Sequence, residues 1–192
     1  MERARRQARK HRGKPLWYED ESEIHLLPVL GAGYGTRGEP LVVWTPGQAV
    51  KEHLFLAANW WTGRVHYRFY PQRRSEQYAD FERKLAQQEG QVRVGLDNCN
   101  IHYQKAAQEP VPGVERLFLP SYAWWLQPLE KLFDWLKGQL TNVEAKDIKE
   151  RKEQVRALLK QLQSHPRKVL KLLGNQDALE DRSLALSRRS LR

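Results

Sequence analysis

Apolar and polar residues alternate from Leu16 to Leu27. Even positions read Leu16, Tyr18, Asp20, Ser22, Ile24 and Leu26; odd positions read Trp17, Glu19, Glu21, Glu23, His25 and Leu27. Period two predicts a strand with one mainly apolar face. Asp20 interrupts that face, whereas the three glutamates share the other. A carboxylate on an apolar face needs a partner, a metal or an open cleft.

Similar patterns predict the remaining elements. Leu41-Val42-Val43-Trp44 reads as a short strand. Residues 54–58 and 65–69 flank a turn near Thr62-Gly63, as in a hairpin, and Pro71 closes the second strand. Ser75 is a candidate N-cap for a helix whose stripe is Tyr78, Phe81 and Leu85 and whose stop is Gly90. Residues 92–97 form a strand ending on Asp97, residues 98–108 read as helical, and Glu115 to Leu119 is a short strand closed by Pro120. A helix opens at Pro128, a favoured first-turn residue, with Leu129, Leu132, Phe133, Leu136 and Leu140 as its buried stripe. Glu144 to Gln163 forms a charged amphipathic helix. It serves equally well to cover its own sheet or to hold a dimer. Residues 167–173 add one more short helix before Gly174. The Gly31–Gly38 stretch lacks the Lys-Ser/Thr ending of a phosphate loop and is read as a plain loop.

Antiparallel strands followed by crossovers predict an α/β fold: a mixed five-stranded sheet flanked by helices, with a C-terminal helical extension. Sites in such sheets gather at the carboxyl ends of strands where the strand order switches. Asp97 is at such an end, and Asp20 is in the neighbouring strand.

Charge adds a partner class. The 192 residues hold 33 Lys and Arg against 23 Asp and Glu, a net charge of +10. Such an excess favours a polyanion, nucleic acid first. Residues 1–14 carry Arg3, Arg5, Arg6, Arg9, Lys10, Arg12 and Lys14 against Glu2 alone. They form either a solubilising tail or an arm that neutralises phosphates without reading sequence. The single Cys99 excludes a disulfide framework and a Cys-rich zinc module and fits a cytoplasmic location. No run of about 18 apolar residues predicts a membrane span.

Three carboxylates are candidates for chemistry: Asp20, Asp97 and Glu130. Converging carboxylates repel unless cations lie among them, and hard oxygen donors suit Mg²⁺ or Mn²⁺. Two such ions can activate a water or a 3′-hydroxyl and stabilise the leaving oxygen of a phosphodiester. Each acid also has a structural reading. Glu130 complements a helix dipole, and Asp97 can cap a helix.

Three stretches carry a resemblance to the catalytic domain of the bacterial insertion-sequence branch of the mariner superfamily of DDE transposases. The first is Tyr18-Glu19-Asp20-Glu21-Ser22, with Arg37-Gly38-Glu39-Pro40 downstream. The second is Leu96-Asp97-Asn98-Cys99-Asn100-Ile101-His102. The third is Leu119-Pro120-Ser121-Tyr122, then Leu126-Gln127-Pro128-Leu129-Glu130-Lys131-Leu132-Phe133, then Lys137. The resemblance covers roughly residues 16–140. It implies a ribonuclease H-like fold, with Asp20, Asp97 and Glu130 as catalytic acids and ligands of a two-metal Mg²⁺ or Mn²⁺ site. Asn98 and His102 are implied as site neighbours. The implied reaction is metal-dependent cleavage of DNA at the ends of an insertion sequence, then transfer of a 3′-hydroxyl into target DNA. Arg3, Arg5, Arg6, Arg9, Lys10, Arg37 and Lys137 are the expected DNA contacts.

The chain departs from the family pattern at Ala123-Trp124-Trp125, at Gln127 in place of the usual Asn, and at Phe133 in place of the usual Trp. The Trp pair is open to a DNA-stacking, dimer or packing role. The family's helix-turn-helix domains have no counterpart before Asp20, so the chain reads as a catalytic half. The expected layout is a basic arm (1–15), a catalytic domain (16–140), C-terminal helices (141–174) and a basic tail (175–192). Expected partners are DNA at transposon ends and target, with a homodimer and a separate helix-turn-helix polypeptide as further candidates, and no membrane. Two alternatives stay open: a catalytically silent fragment acting only as a DNA-binding or interaction module, and an unrelated ribonuclease H-like nuclease.

Overall fold

A computed structural model of the chain describes residues 15–99, 102, 109–120 and 127–180. The basic arm, most of the helix read over 98–108, Trp124, Trp125 and the C-terminal tail from 181 lie outside the described residues. The elements are β1 (Leu16–His25), β2 (Lys51–Asn59), β3 (Val65–Tyr70), α1 (Ser75–Glu89), β4 (Val92–Leu96), β5 (Val114–Phe118), α2 (Glu130–Gln139), α3 (Ile148–Ser164) and α4 (Pro166–Leu173).

The strands form one five-stranded sheet in the order β3-β2-β1-β4-β5. β2 is antiparallel to both β1 and β3; β4 is parallel to both β1 and β5. Thus β1, β3, β4 and β5 all point the same way, and their carboxyl ends share one edge. Together with the helices on both faces, this is the expected mixed α/β fold of ribonuclease H-like type.

The central strand β1 is covered on both faces. Leu16, Tyr18 and Ile24 join a core with Leu129, Leu132, Leu136, Val155, Leu159 and Leu162, so α2 and α3 pack there. Helix α3 therefore covers its own sheet. Trp17 packs with Phe55, Tyr78, Phe81 and Leu85 under α1. The glutamate face of β1 is consequently not a solvent face: Glu19 is fully buried and Glu21 half-buried, and only Glu23 is exposed.

Several local expectations are corrected. Residues 41–44 are not a strand; Val42 and Trp44 are exposed in a long β1–β2 connection. Their apolar run finds no neighbouring strand edge, and the Trp44 amide instead donates to Glu144 Oε1 at 2.6 Å. The same connection is pinned by reciprocal bonds between Gly31 and the Asn142 side chain, both 3.0 Å. Ser75 is the first helical residue and is buried; Arg74 holds the cap position of α1 without a side-chain bond. Helix α2 begins at Glu130, past Pro128, and α3 begins at Ile148, where Asp147 caps it through the Glu150 amide.

The hairpin turns where predicted. Gly63 has φ +68°, and an added Cβ would stand 2.3 Å from the Pro166 carbonyl oxygen, so a side chain there would push α4 away.

Candidate active site

The pairing of β1 with β4 ends early. Its register runs Leu16–Arg93, Trp17–Val94, Tyr18–Gly95. Past Tyr18, β1 continues beside β2 alone among the described residues, with Asp20 opposite Leu56. Asp20 therefore sits where β4 leaves β1. Asp97 follows the last residue of β4. Both acids stand at the carboxyl edge, at the switch in strand order, as ligand sites do in such sheets.

Glu130, the exposed first residue of α2, lies close enough for its charge to act on Asp20. The start of α2 is tied to β1 by Gln127, which is buried and whose Nε2 donates to the Glu19 carbonyl at 2.9 Å. That bond anchors the helix one residue from Asp20.

Asp20 feels the charges of both other acids. Burial lifts the Asp20 carboxyl to a pKa of about 7; the Glu21 amide, which donates to Oδ1 at 2.8 Å, opposes this, and the charges of Asp97 and Glu130 add to the lift. Glu21 is raised to about 8, first by burial and then by Asp20. Asp97 shifts the other way. Its Oδ1 lies 3.1 Å from His102 Nε2 and accepts from the Cys99 amide at 3.0 Å, and the His102 bond is the main reason its pKa falls. An ionised Asp97 only accepts, so the proton of that pair belongs on Nε2.

His102 is buried and stands edge-on to Tyr78, ring centroids 4.4 Å apart. The Tyr78 hydroxyl donates to Glu82 Oε1 at 2.6 Å, and Arg116 Nη2 donates to Glu82 Oε2 at 2.5 Å. A polar chain of Tyr78, Glu82 and Arg116 thus links α1 to β5, and His102 meets it through the ring contact with Tyr78. Glu19 lies beside it with both carboxylate oxygens unpartnered among the described residues. Burial and the charge of Glu82 drive its pKa well above the ordinary value.

Other predicted residues are placed elsewhere. Asn98 Nδ2 donates to the Leu119 carbonyl at 2.5 Å, fastening the end of β4 to the end of β5. Arg37 is exposed in a turn of the β1–β2 connection. Lys137 is exposed two turns after Glu130, about 10 Å farther along α2. Arg3, Arg5, Arg6, Arg9 and Lys10 lie outside the described residues. Among the described residues, no three His, Cys, Asp or Glu side chains converge tightly enough to hold a metal ion as they stand.

Two site residues were not foreseen. Glu21 reads as a solvent-face glutamate until α1 is seen to cover that face. Arg73, in the β3–α1 turn, acts electrostatically on Asp20, Glu21 and Asp97. The signal available for it was the Arg73-Arg74 pair just after a strand that ends at the site edge.

Residues 15–152 match the family described as DDE superfamily endonuclease. The chain belongs to that family. A curated relative of this DDE domain, the insertion element IS630 uncharacterized 39 kDa protein of Shigella sonnei, is 29% identical over 133 residues. The match takes in 66% of this chain and 39% of the relative, so the DDE chain spans well under half of that relative's length. Among solved structures, the Mos1 strand transfer complex is similar at TM-score 0.66 and 18% identity, over 94% of this chain and 55% of that one. The catalytic domain of Mos1 mariner transposase is similar at TM-score 0.56 and 14% identity, over 94% and 86%. The Mos1 mariner paired end complex with Mn gives 0.61 and 15%, over 88% and 58%. These likenesses establish the DDE domain's fold.

Proposed function

We propose that this DDE domain cleaves DNA strands and transfers the resulting 3′-hydroxyl during transposition of an insertion sequence. The reading is carried by the charges of Asp97 and Glu130, which both act on Asp20 at the switch between β1 and β4. Family membership and the strand-transfer and paired-end complexes of similar structures support it.

The donor set fits a hard divalent ion. All three acids offer carboxylate oxygens, and a cation among them removes the repulsion that raises Asp20. Asp20, Asp97 and Glu130 are the proposed ligands. When bound, Mg²⁺ or Mn²⁺ supplies Lewis acidity to the attacking and leaving oxygens of a phosphodiester. His102 holds Asp97 in one orientation through Nε2, and Gln127 holds α2 against β1. The basic arm, with Arg3, Arg5, Arg6, Arg9 and Lys10, supplies sequence-independent affinity for DNA. Arg37 and Lys137 are proposed as outer backbone contacts. A homodimer joining the two ends of the element is part of the same proposal.

A second reading, a silent DNA-binding module, is favoured by one observation: Asp97 is engaged by His102, and no three-donor cluster is closed among the described residues. Incubation of supercoiled plasmid with the chain and Mn²⁺, beside Asp20→Ala, separates the two. The catalytic reading predicts nicking by the parent only. Absence of nicking by either chain favours the silent module, and equal nicking by both contradicts the role of Asp20.

A further inference from the structure

The carboxyl edge that holds the acids also holds the turn between β3 and α1. β3 runs parallel to β1, and its last residue, Tyr70, is level with His53 of β2 and hence with Glu23 of β1. Three residues farther on, Arg73 emerges at the same edge, before α1 begins at Ser75. Its side chain belongs to an exposed residue.

Arg73 differs from the other cations near the sheet. Arg116 is committed to Glu82, Lys51 to Glu23, Lys152 to Glu52 and Arg64 to Glu89. Arg73 has no ion pair or hydrogen bond among the described residues. Yet its charge acts on Asp20, Glu21, Asp97 and His53. An exposed guanidinium at the edge that holds the acids, paired with none of them, keeps its five donors available.

We propose that Arg73 is a phosphate-binding residue of this site, its guanidinium gripping non-bridging oxygens of the DNA backbone beside the three carboxylates. The planar fork of arginine matches two phosphate oxygens at once, which lysine does not. The acids alone repel a polyanion, so a strand that approaches them needs a local cation on the protein side. Arg73 meets that need from a turn fixed by β3 and α1, a firmer mount than a long loop. This inference rests on the site being one for DNA, and it adds a contact to that site.

The test measures affinity for a short DNA duplex in Ca²⁺ as a function of salt, with the full chain and its Arg73→Gln, Arg73→Lys and Lys160→Gln variants. Lys160 is an exposed residue on α3 and controls for the loss of one charge. Each phosphate contact contributes about 0.9 to the slope of log affinity against log salt. The expected result is a slope lowered by about 0.9 in Arg73→Gln, kept in Arg73→Lys and kept in Lys160→Gln. Plasmid nicking should fall in both Arg73 variants, because lysine keeps the charge and loses the fork. A fold change in thermal stability is not expected, and a misplaced turn would show as one. An unchanged slope in Arg73→Gln overturns the proposal, even where Asp20→Ala abolishes nicking and the catalytic reading stands. A lowered slope in a chain that never nicks upholds the phosphate contact while the catalytic reading falls.

Discussion

The Gln127 side chain donates to the carbonyl of Glu19 across 2.9 Å, joining the residue three before Glu130 to the residue before Asp20. One buried hydrogen bond therefore ties the approach to α2 to β1, beside Asp20.

Gln127→Leu should remove the donor and leave a buried carbonyl unpaired. The expected loss of stability is about 1–3 kcal/mol. Nicking should fall further than stability implies, on the order of tenfold to a hundredfold, because a shift of the helix moves Glu130. Denaturant melts beside plasmid kinetics check both figures; unchanged nicking with reduced stability would make the bond merely structural.

Breaking the polar chain under the site should cost more. Glu82 is completely buried and relies on Arg116. Arg116→Met should destabilise by about 3–5 kcal/mol, since it strands a buried charge. Adding Glu82→Gln should restore much of the loss. Urea titration of the single and double variants measures the coupling.

His66 provides a pH signature. Burial lowers its pKa, its Nε2 has no partner among the described residues, and its ring lies 5.3 Å from that of Phe81. A depressed folded pKa means that the unfolded chain takes up the proton first as pH falls. Stability from this group is complete above the unfolded value near 6.5 and declines below it toward the folded pKa. His66→Phe should remove that part of the decline. The check is the difference in melting temperature between parent and variant at successive pH values from neutral to mildly acid. A constant difference would contradict the assignment.

A divalent ion should stabilise the fold. Binding to the native state alone adds about 2.7 kcal/mol at one hundred times the dissociation constant. Mn²⁺ or Mg²⁺ should raise the melting temperature, EDTA should reverse the rise, and Asp20→Asn should abolish it. Scanning calorimetry reads all three.

Much of this architecture is legible in the sequence, for physical reasons. Tyr78, Phe81 and Leu85 have helical spacing because one face of α1 meets the sheet. The place of Asp97 at the carboxyl end of β4 is legible because it directly follows a short apolar strand. Asp20 stands out because it interrupts an apolar face. The burial of Glu19 is not legible, since it depends on α1 docking across a distant strand. The failed strand at 41–44 has strand composition but no edge to pair with, and pattern alone does not reveal that. Arg73 becomes meaningful only when β3 is known to run parallel to β1. His102 reads as a neighbour of Asp97, and its Nε2 lies within hydrogen-bonding distance of that carboxylate.

The central claim is that Asp20, Asp97 and Glu130 act as one centre. Nicking rates of Asp20→Asn, Asp97→Asn, Glu130→Gln and the Asp20→Asn/Glu130→Gln pair test it most directly. Residues that act as a unit are strongly non-additive. The account predicts that each single variant loses nearly all metal-dependent nicking, by about a thousandfold or more, and that the pair loses no more. Parent-like nicking by Asp97→Asn or Glu130→Gln, or losses that simply multiply in the pair, would contradict it.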